Sequence, residues 1–253
     1  MKEEIVQCLR NLESEANIRV LYACESGSRA WGFASRDSDW DVRFFFVRPQ
    51  SEYLCVLQPP EHLHRDLPGE IDLTGWDLRK ALHHAAKSNA SVHEWLHSPM
   101  VYLDAGGFRE MLSPLAGAAF RVKPVVHHYL GLATRLFAQA GEGESLNGKK
   151  CLYVLRAALC ARWALTWGMA PPVLFAELLP LVPDAALKAE ILDFVRQKEA
   201  GLESDSFPVS GPLLEWLHEL RASCAAASDA LEAPPVAYGP LDAFFQERLA
   251  VWP

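Results

Sequence analysis

Residues 27–48 read GSRAWGFASRDSDWDVRFFFVR, and the second half of that stretch has the alternation of a β-strand. From Trp40 onward side chains point to opposite faces with period two. Trp40, Val42, Phe44 and Phe46 share one face and are expected to bury. Asp39 and Asp41 share the other, roughly 6–7 Å apart at their roots. Two carboxylates on one rigid strand repel each other unless a positive charge sits between them. A divalent cation is the natural candidate, and all-oxygen ligation selects magnesium or manganese over zinc. Asp37 lies ahead of the alternating segment, in Ser35-Arg36-Asp37-Ser38, where turn chemistry suits it better.

The flanking segments extend this reading. Residues 18–24, IRVLYAC, form a β-branched and aromatic run that predicts a strand. Gly27-Ser28 then sits between that strand and a helix start, where backbone N–H groups are unpaired. Such a turn can cradle a phosphate; glycine permits close backbone approach, Ser28 adds a hydroxyl and Arg29 a permanent cation. It is not a P-loop. Gly27 and Gly32 have the spacing, but Phe33 stands where the lysine belongs. Downstream, Glu70 to Thr74 predicts a third strand, with Ile71 and Leu73 facing a core and Glu70, Asp72 and Thr74 facing away. Pairing beside the second strand would bring Asp72 to Asp39 and Asp41 as a three-carboxylate cluster. The bland alternative is three solvated edge charges.

Around this nucleus the first hundred residues mix strands and helices, including an opening helix over 2–16. A long helix is expected from Asp77, its N-cap, to about His97, stopped by Ser98-Pro99. Beyond residue 104 the pattern is helix after helix, over 108–116, 123–140, 146–168, 173–180, 184–201, 211–231 and 240–250. The fold class predicted is α+β: a small mixed β-sheet with flanking helices over 1–105, then an α-helical domain over 106–253. A ligand is expected in the cleft between the two. Residues 1–120 carry 12 basic and 17 acidic side chains, whereas residues 121–170 carry seven basic against Glu142 and Glu144. That basic block is where an anionic substrate is sought.

Composition narrows the class. The chain has 253 residues, 50% hydrophobic and 22% charged, with a formal net charge of −8. A protein whose whole surface clamps nucleic acid is excluded, though a local basic groove is not. The most apolar region, Ala157 to Ala176, is broken by Arg162 and by Pro171-Pro172, too short to cross a bilayer. The charged N-terminus is unlike a signal peptide. The six cysteines contain no C-x-x-C pair and read as reduced, mostly buried small hydrophobes, pointing to a cytoplasmic location. His93-Glu94-Trp95-Leu96-His97 spells the H-E-x-x-H of zinc hydrolases, but Ser98-Pro99 cuts the helix at once and no third ligand follows at a familiar spacing. The adjacent pairs His83-His84 and His127-His128 are poor chelates. His62-x-His64 falls in an expected loop. Trp163 and Trp167, four apart, read as core.

A glycine–serine turn, then D-x-D on a strand about ten residues later, then a further acidic strand, resembles the nucleotidyltransferase superfamily that includes DNA polymerase β. The string GSRAWGFASRDSDWDVRFFFVRP, followed by EIDLTGWDLRKAL, EWLHSP and KKCLYVLR, is similar to one branch, the RlaP-type (YcgL-like) nucleotidyltransferases associated with RNA repair. The resemblance implies metal-dependent transfer of a nucleoside monophosphate from an NTP to a hydroxyl, with an RNA end as favoured acceptor. It implies that Gly27, Ser28 and Arg29 bind the triphosphate, together with Lys149, Lys150 and Arg156 from the helical half. Asp39, Asp41 and Asp72 would hold two Mg2+ or Mn2+ ions, Asp72 closest to the acceptor. A protein or small-molecule acceptor, as in AMPylation, is the alternative that keeps the same site.

Overall fold

The computed structural model describes residues 1–138, 148–201, 208–232 and 234–250. They divide into two compact units: residues 1–30, 39–120 and 235–253 form the first, and residues 31–38 and 121–234 the second. The chain thus leaves the first unit just after the Gly27-Ser28 turn and returns at Asp39.

The first unit is built on one five-stranded sheet. Its strands are β1 (Arg19–Glu25), β2 (Trp40–Val47), β3 (His62–Leu67), β4 (Ile71–Asp77) and β5 (Val101–Asp104), in the order β3-β4-β2-β1-β5. The β2–β4 pair is parallel and the other pairs antiparallel, so the sheet is mixed. Helix α1 (Lys2–Ala16) precedes it and stops at Asn17, in the left-handed region at φ 49°, whose N–H returns to the Glu13 carbonyl. One sheet face, with Ala23, Val42, Phe44, Phe46, Ile71 and Leu73, packs on Ile5, Leu9 and Leu12 of α1. The other face puts Phe45 and Val47 under the helices that follow. Beyond Arg43, therefore, β2 is buried on both sides, and its polar face is confined to its N-terminal end. Gly75 of β4 is required by this packing: a Cβ there would lie 2.2 Å from the Phe44 ring.

The expected single helix over 77–97 is two, α4 (Leu78–Ala86) and α5 (Ala90–Leu96). Ser88 turns left-handed at φ 55°, and Asn89 caps the second helix by accepting the Ser91 N–H. Asp77 caps the first, accepting the Arg79 N–H at 2.8 Å. Two strands, β3 and β5, were absent from the sequence-based expectation. Between β2 and β3 lies the one-turn α3 (Gln50–Tyr53), and α6 (Phe108–Ala118) and α11 (Gly239–Ala250) complete the first unit.

The second unit is helical, with α7 (Val122–Ala138), α8 (Gly148–Trp167), α9 (Ala185–Ala200) and α10 (Gly211–Asp229). The expected helix over 173–180 is a 3-10 segment, Phe175–Leu181, containing Pro180. The predicted helix ends at 139–140 and 146–147 lie outside the described residues. Trp163 and Trp167 do touch, tilted at 43° with centroids 4.0 Å apart, but Trp167 is half exposed, so the pair is not a core contact throughout. Among the described residues no helix is long and apolar enough to cross a membrane.

Candidate active site

The parallel pairing of β2 with β4 sets Asp41 directly beside Asp72, at the spacing of neighbouring strands. Both carboxylates are half-buried, and both are held by Arg43: its Nη2 lies 2.6 Å from Asp41 Oδ1 and 2.9 Å from Asp72 Oδ2. Burial pushes the Asp41 carboxyl above its ordinary pKa; Arg43 opposes this, while the charges of Asp72 and Asp39 add to it. Burial acts the same way on Asp72, but there the Arg43 guanidinium, the Thr74 hydroxyl and His64 outweigh it, and its pKa falls. Thr74 Oγ1 donates to Asp72 Oδ1 at 2.8 Å, and His64 Nδ1 lies 3.2 Å from the same oxygen. Asp39 stands one residue ahead of β2 and is exposed, not on the strand as the alternation implied.

The glycine turn meets this pair from the end of β1. Gly27 adopts φ +59°, and a Cβ built on it would sit 2.0 Å from Asp41 Oδ2. The turn backbone therefore lies against the carboxylate, which only glycine allows. Ser26 N–H donates to the Asp41 carbonyl at 2.9 Å. Ser28 is buried in the short helix α2 (Gly27–Trp31). Arg29 stacks on the Trp40 ring, 3.9 Å from its centroid, and donates from Nε to the Asp39 carbonyl.

Beneath the turn lies a group that sequence reasoning missed. Glu25 has no solvent exposure; its Oε1 accepts the Asp41 N–H at 2.8 Å and its Oε2 the Tyr102 hydroxyl at 2.5 Å. Burial, above all, raises its pKa to about 7. It ties β1, β2 and β5 together under Asp41. Its charge at the end of the apolar run Val20–Cys24 was the available signal. Strand β3 was missed as well. Because His62-x-His64 is strand rather than loop, His64 lies between Asp72 and Asp66, at 3.2 and 3.3 Å.

Lys149 and Lys150 occupy the first turn of α8, and Arg156 is buried in the second unit with its guanidinium 4.1 Å from the Trp31 ring centre. The H-E-x-x-H histidines do not present a ligand face. His93 is buried edge-on to Phe120, and His97 Nδ1 lies 2.7 Å from the His93 carbonyl. Among the described residues, the grouping with metal-ligand geometry is His64, Asp66 and Asp72.

The described residues thus combine a mixed five-stranded sheet and flanking helices with a helical unit. The chain belongs to the RNA repair pathway DNA polymerase beta family, RlaP, whose sequence model matches residues 1–247. It is 38% identical to the YcgL protein of Bacillus subtilis (strain 168) over 206 residues, 81% of this chain and 79% of that one. A crystal structure of a nucleotidyltransferase-like protein from Exiguobacterium sibiricum 255-15 aligns at 13% identity and a TM-score of 0.33, covering 89% of this chain and 75% of that one. The family points to a nucleotidyltransferase-type function in an RNA repair pathway.

Proposed function

We propose that the protein transfers a nucleoside monophosphate from an NTP to a hydroxyl at an RNA end, with Asp39, Asp41 and Asp72 holding two magnesium or manganese ions. The observation that carries this reading is the Asp41–Asp72 pair: two carboxylates on adjacent parallel strands, close enough for one cationic nitrogen to bind both, with Gly27 lying against Asp41. The donor set is hard oxygen, which fits these ions. When bound, they would neutralise charge on the polyphosphate and lower the pKa of the acceptor hydroxyl.

The chain's own residues supply the rest. The Gly27 turn and Ser28 receive the triphosphate, and Arg29, fixed on Trp40, meets its negative charge. Lys149 and Lys150 are proposed to add further charge to nucleotide binding. Asp72, kept ionised by its three donors, suits holding a cation rather than a proton. In the transfer, the acceptor O–H gives its proton to solvent water, an oxygen–Pα bond forms, and the bond from Pα to the bridging β-phosphate oxygen breaks, releasing pyrophosphate.

The test incubates the protein and magnesium with each α-labelled NTP and a panel of RNA ends, proteins and small alcohols. Label on RNA that is lost in the Asp39→Asn/Asp41→Asn double variant is the expected result. Label on protein or alcohol alone displaces RNA as the acceptor. Wild-type transfer by the double variant refutes the site.

A further inference from the structure

Both carboxylates just assigned to divalent ions are already engaged by a cation of the protein itself. Arg43 follows Asp41 by two residues on β2, so it rises from the same strand face. One nitrogen, Nη2, touches both carboxylates, at 2.6 and 2.9 Å. The other, Nη1, donates to the carbonyls of Val42 and Asp72 at 3.3 and 3.2 Å. The fork is thus fixed by four contacts, and its side chain is only 16% exposed.

A magnesium or manganese ion bound to both carboxylates needs oxygen distances of about 2.1 Å. An ion held through the two oxygens that Nη2 touches, Asp41 Oδ1 and Asp72 Oδ2, would have to displace that nitrogen. The guanidinium also places a positive charge between two adjacent half-buried carboxylates. Once displaced, the guanidinium remains on the face that carries Asp41, and its planar fork matches phosphate as well as carboxylate.

We propose that Arg43 is an internal counter-ion latch: it closes the Asp41–Asp72 position in the metal-free protein, yields it to a divalent cation, and transfers its fork to the polyphosphate of the incoming nucleotide. This rests on the reading of Asp41 and Asp72 as ion ligands. The consequence is coupling. A metal ion arriving alone must leave Arg43 without an anion, whereas one arriving with a nucleotide offers it a new partner. Metal and nucleotide therefore reinforce each other's binding, and by linkage the reinforcement is reciprocal.

The experiment follows free Mn2+ by electron paramagnetic resonance during titration of the wild type, Arg43→Gln, Arg43→Lys and Asp41→Asn, with and without a non-hydrolysable NTP analogue. Circular dichroism verifies folding of each. Without nucleotide, Arg43→Gln is expected to bind Mn2+ about tenfold more tightly or better, since a unit charge a few ångströms away has been removed. Arg43→Lys, which keeps the charge but loses the fork, falls between. The analogue should strengthen Mn2+ binding more in the wild type than in Arg43→Gln. Equal or weaker Mn2+ binding by Arg43→Gln overturns the latch, as does equal enhancement by the analogue in both proteins. Mn2+ binding that Asp41→Asn leaves unchanged removes the ion-ligand reading, and the latch with it. Should Arg43→Gln not fold, Arg43→Lys decides: affinity no higher than wild type overturns the proposal.

Discussion

Replacing Gly27 by alanine tests the contact between the turn and Asp41 most directly. A Cβ at this position would lie 2.0 Å from Asp41 Oδ2, 2.9 Å from its Cγ and 3.3 Å from its Cβ, and the backbone sits at φ +59°. Two costs follow. An L-residue in left-handed geometry costs about 1–2 kcal/mol. The overlap with the carboxylate is additional, because 2.0 Å is far inside van der Waals contact and either the turn or Asp41 must move. If Asp41 moves, it leaves Arg43 and the Asp72 pair, and a half-buried ion pair loses about 1–2 kcal/mol more. Gly69→Ala supplies the control, since Gly69 has φ +83° but nothing within 4 Å of its added Cβ. It should show the backbone cost alone. Urea denaturation of both variants at neutral pH is expected to give a loss of about 3 kcal/mol for Gly27→Ala against about 1 kcal/mol for Gly69→Ala. Mn2+ affinity should fall only in Gly27→Ala. Equal stability losses in the two, with wild-type Mn2+ binding by Gly27→Ala, would refute the argument that the turn and the carboxylate are in obligatory contact.

Three further perturbations address the frame around the site. His93 is buried with Nε2 unpartnered among the described residues, and burial, assisted by His97, lowers its pKa to about 4. The unfolded chain binds its proton near pH 6.5 and the folded chain only near 4. Stability from this group is therefore complete above pH 6.5 and falls by about 3 kcal/mol as pH drops to 4; His93→Leu should flatten that slope in urea titrations run from pH 7 to 4. Tyr102→Phe removes the 2.5 Å hydrogen bond to the buried Glu25 and is expected to lower stability by about 2 kcal/mol, whereas an unchanged midpoint would show that Tyr102 does not support that carboxyl. Gly75→Ala forces a methyl to within 2.2 Å of the Phe44 ring; a loss of about 1–3 kcal/mol in thermal or urea unfolding is expected, and a neutral result would contradict the close packing of Phe44 on Gly75 between the paired strands β2 and β4.

What could be read from the chain alone divides along a physical line. Strands β1 and β2 carry their own burial in the order of their residues: β-branched and aromatic side chains recur at the strand period, and IRVLYAC and WDVRFFFV need no partner to be recognised. Asp41 and Asp72 were each visible by alternation. Their adjacency depends on β4 lying parallel to β2 in one register, which no local pattern specifies. Strand β3 was invisible because it lies at the sheet edge with mostly exposed side chains, so it has no apolar face to alternate. The break between α4 and α5 had a signal in Ser88-Asn89, a left-handed residue followed by a capping side chain, yet the apolar periodicity on either side dominated it. Arg43 is the instructive case. Period two already placed its side chain with Asp41, and a cation two residues from a carboxylate on one strand face is a ready ion pair. The alternation that suggested a missing positive charge beside Asp41 therefore also contained one, and the fold sets it between Asp41 and Asp72.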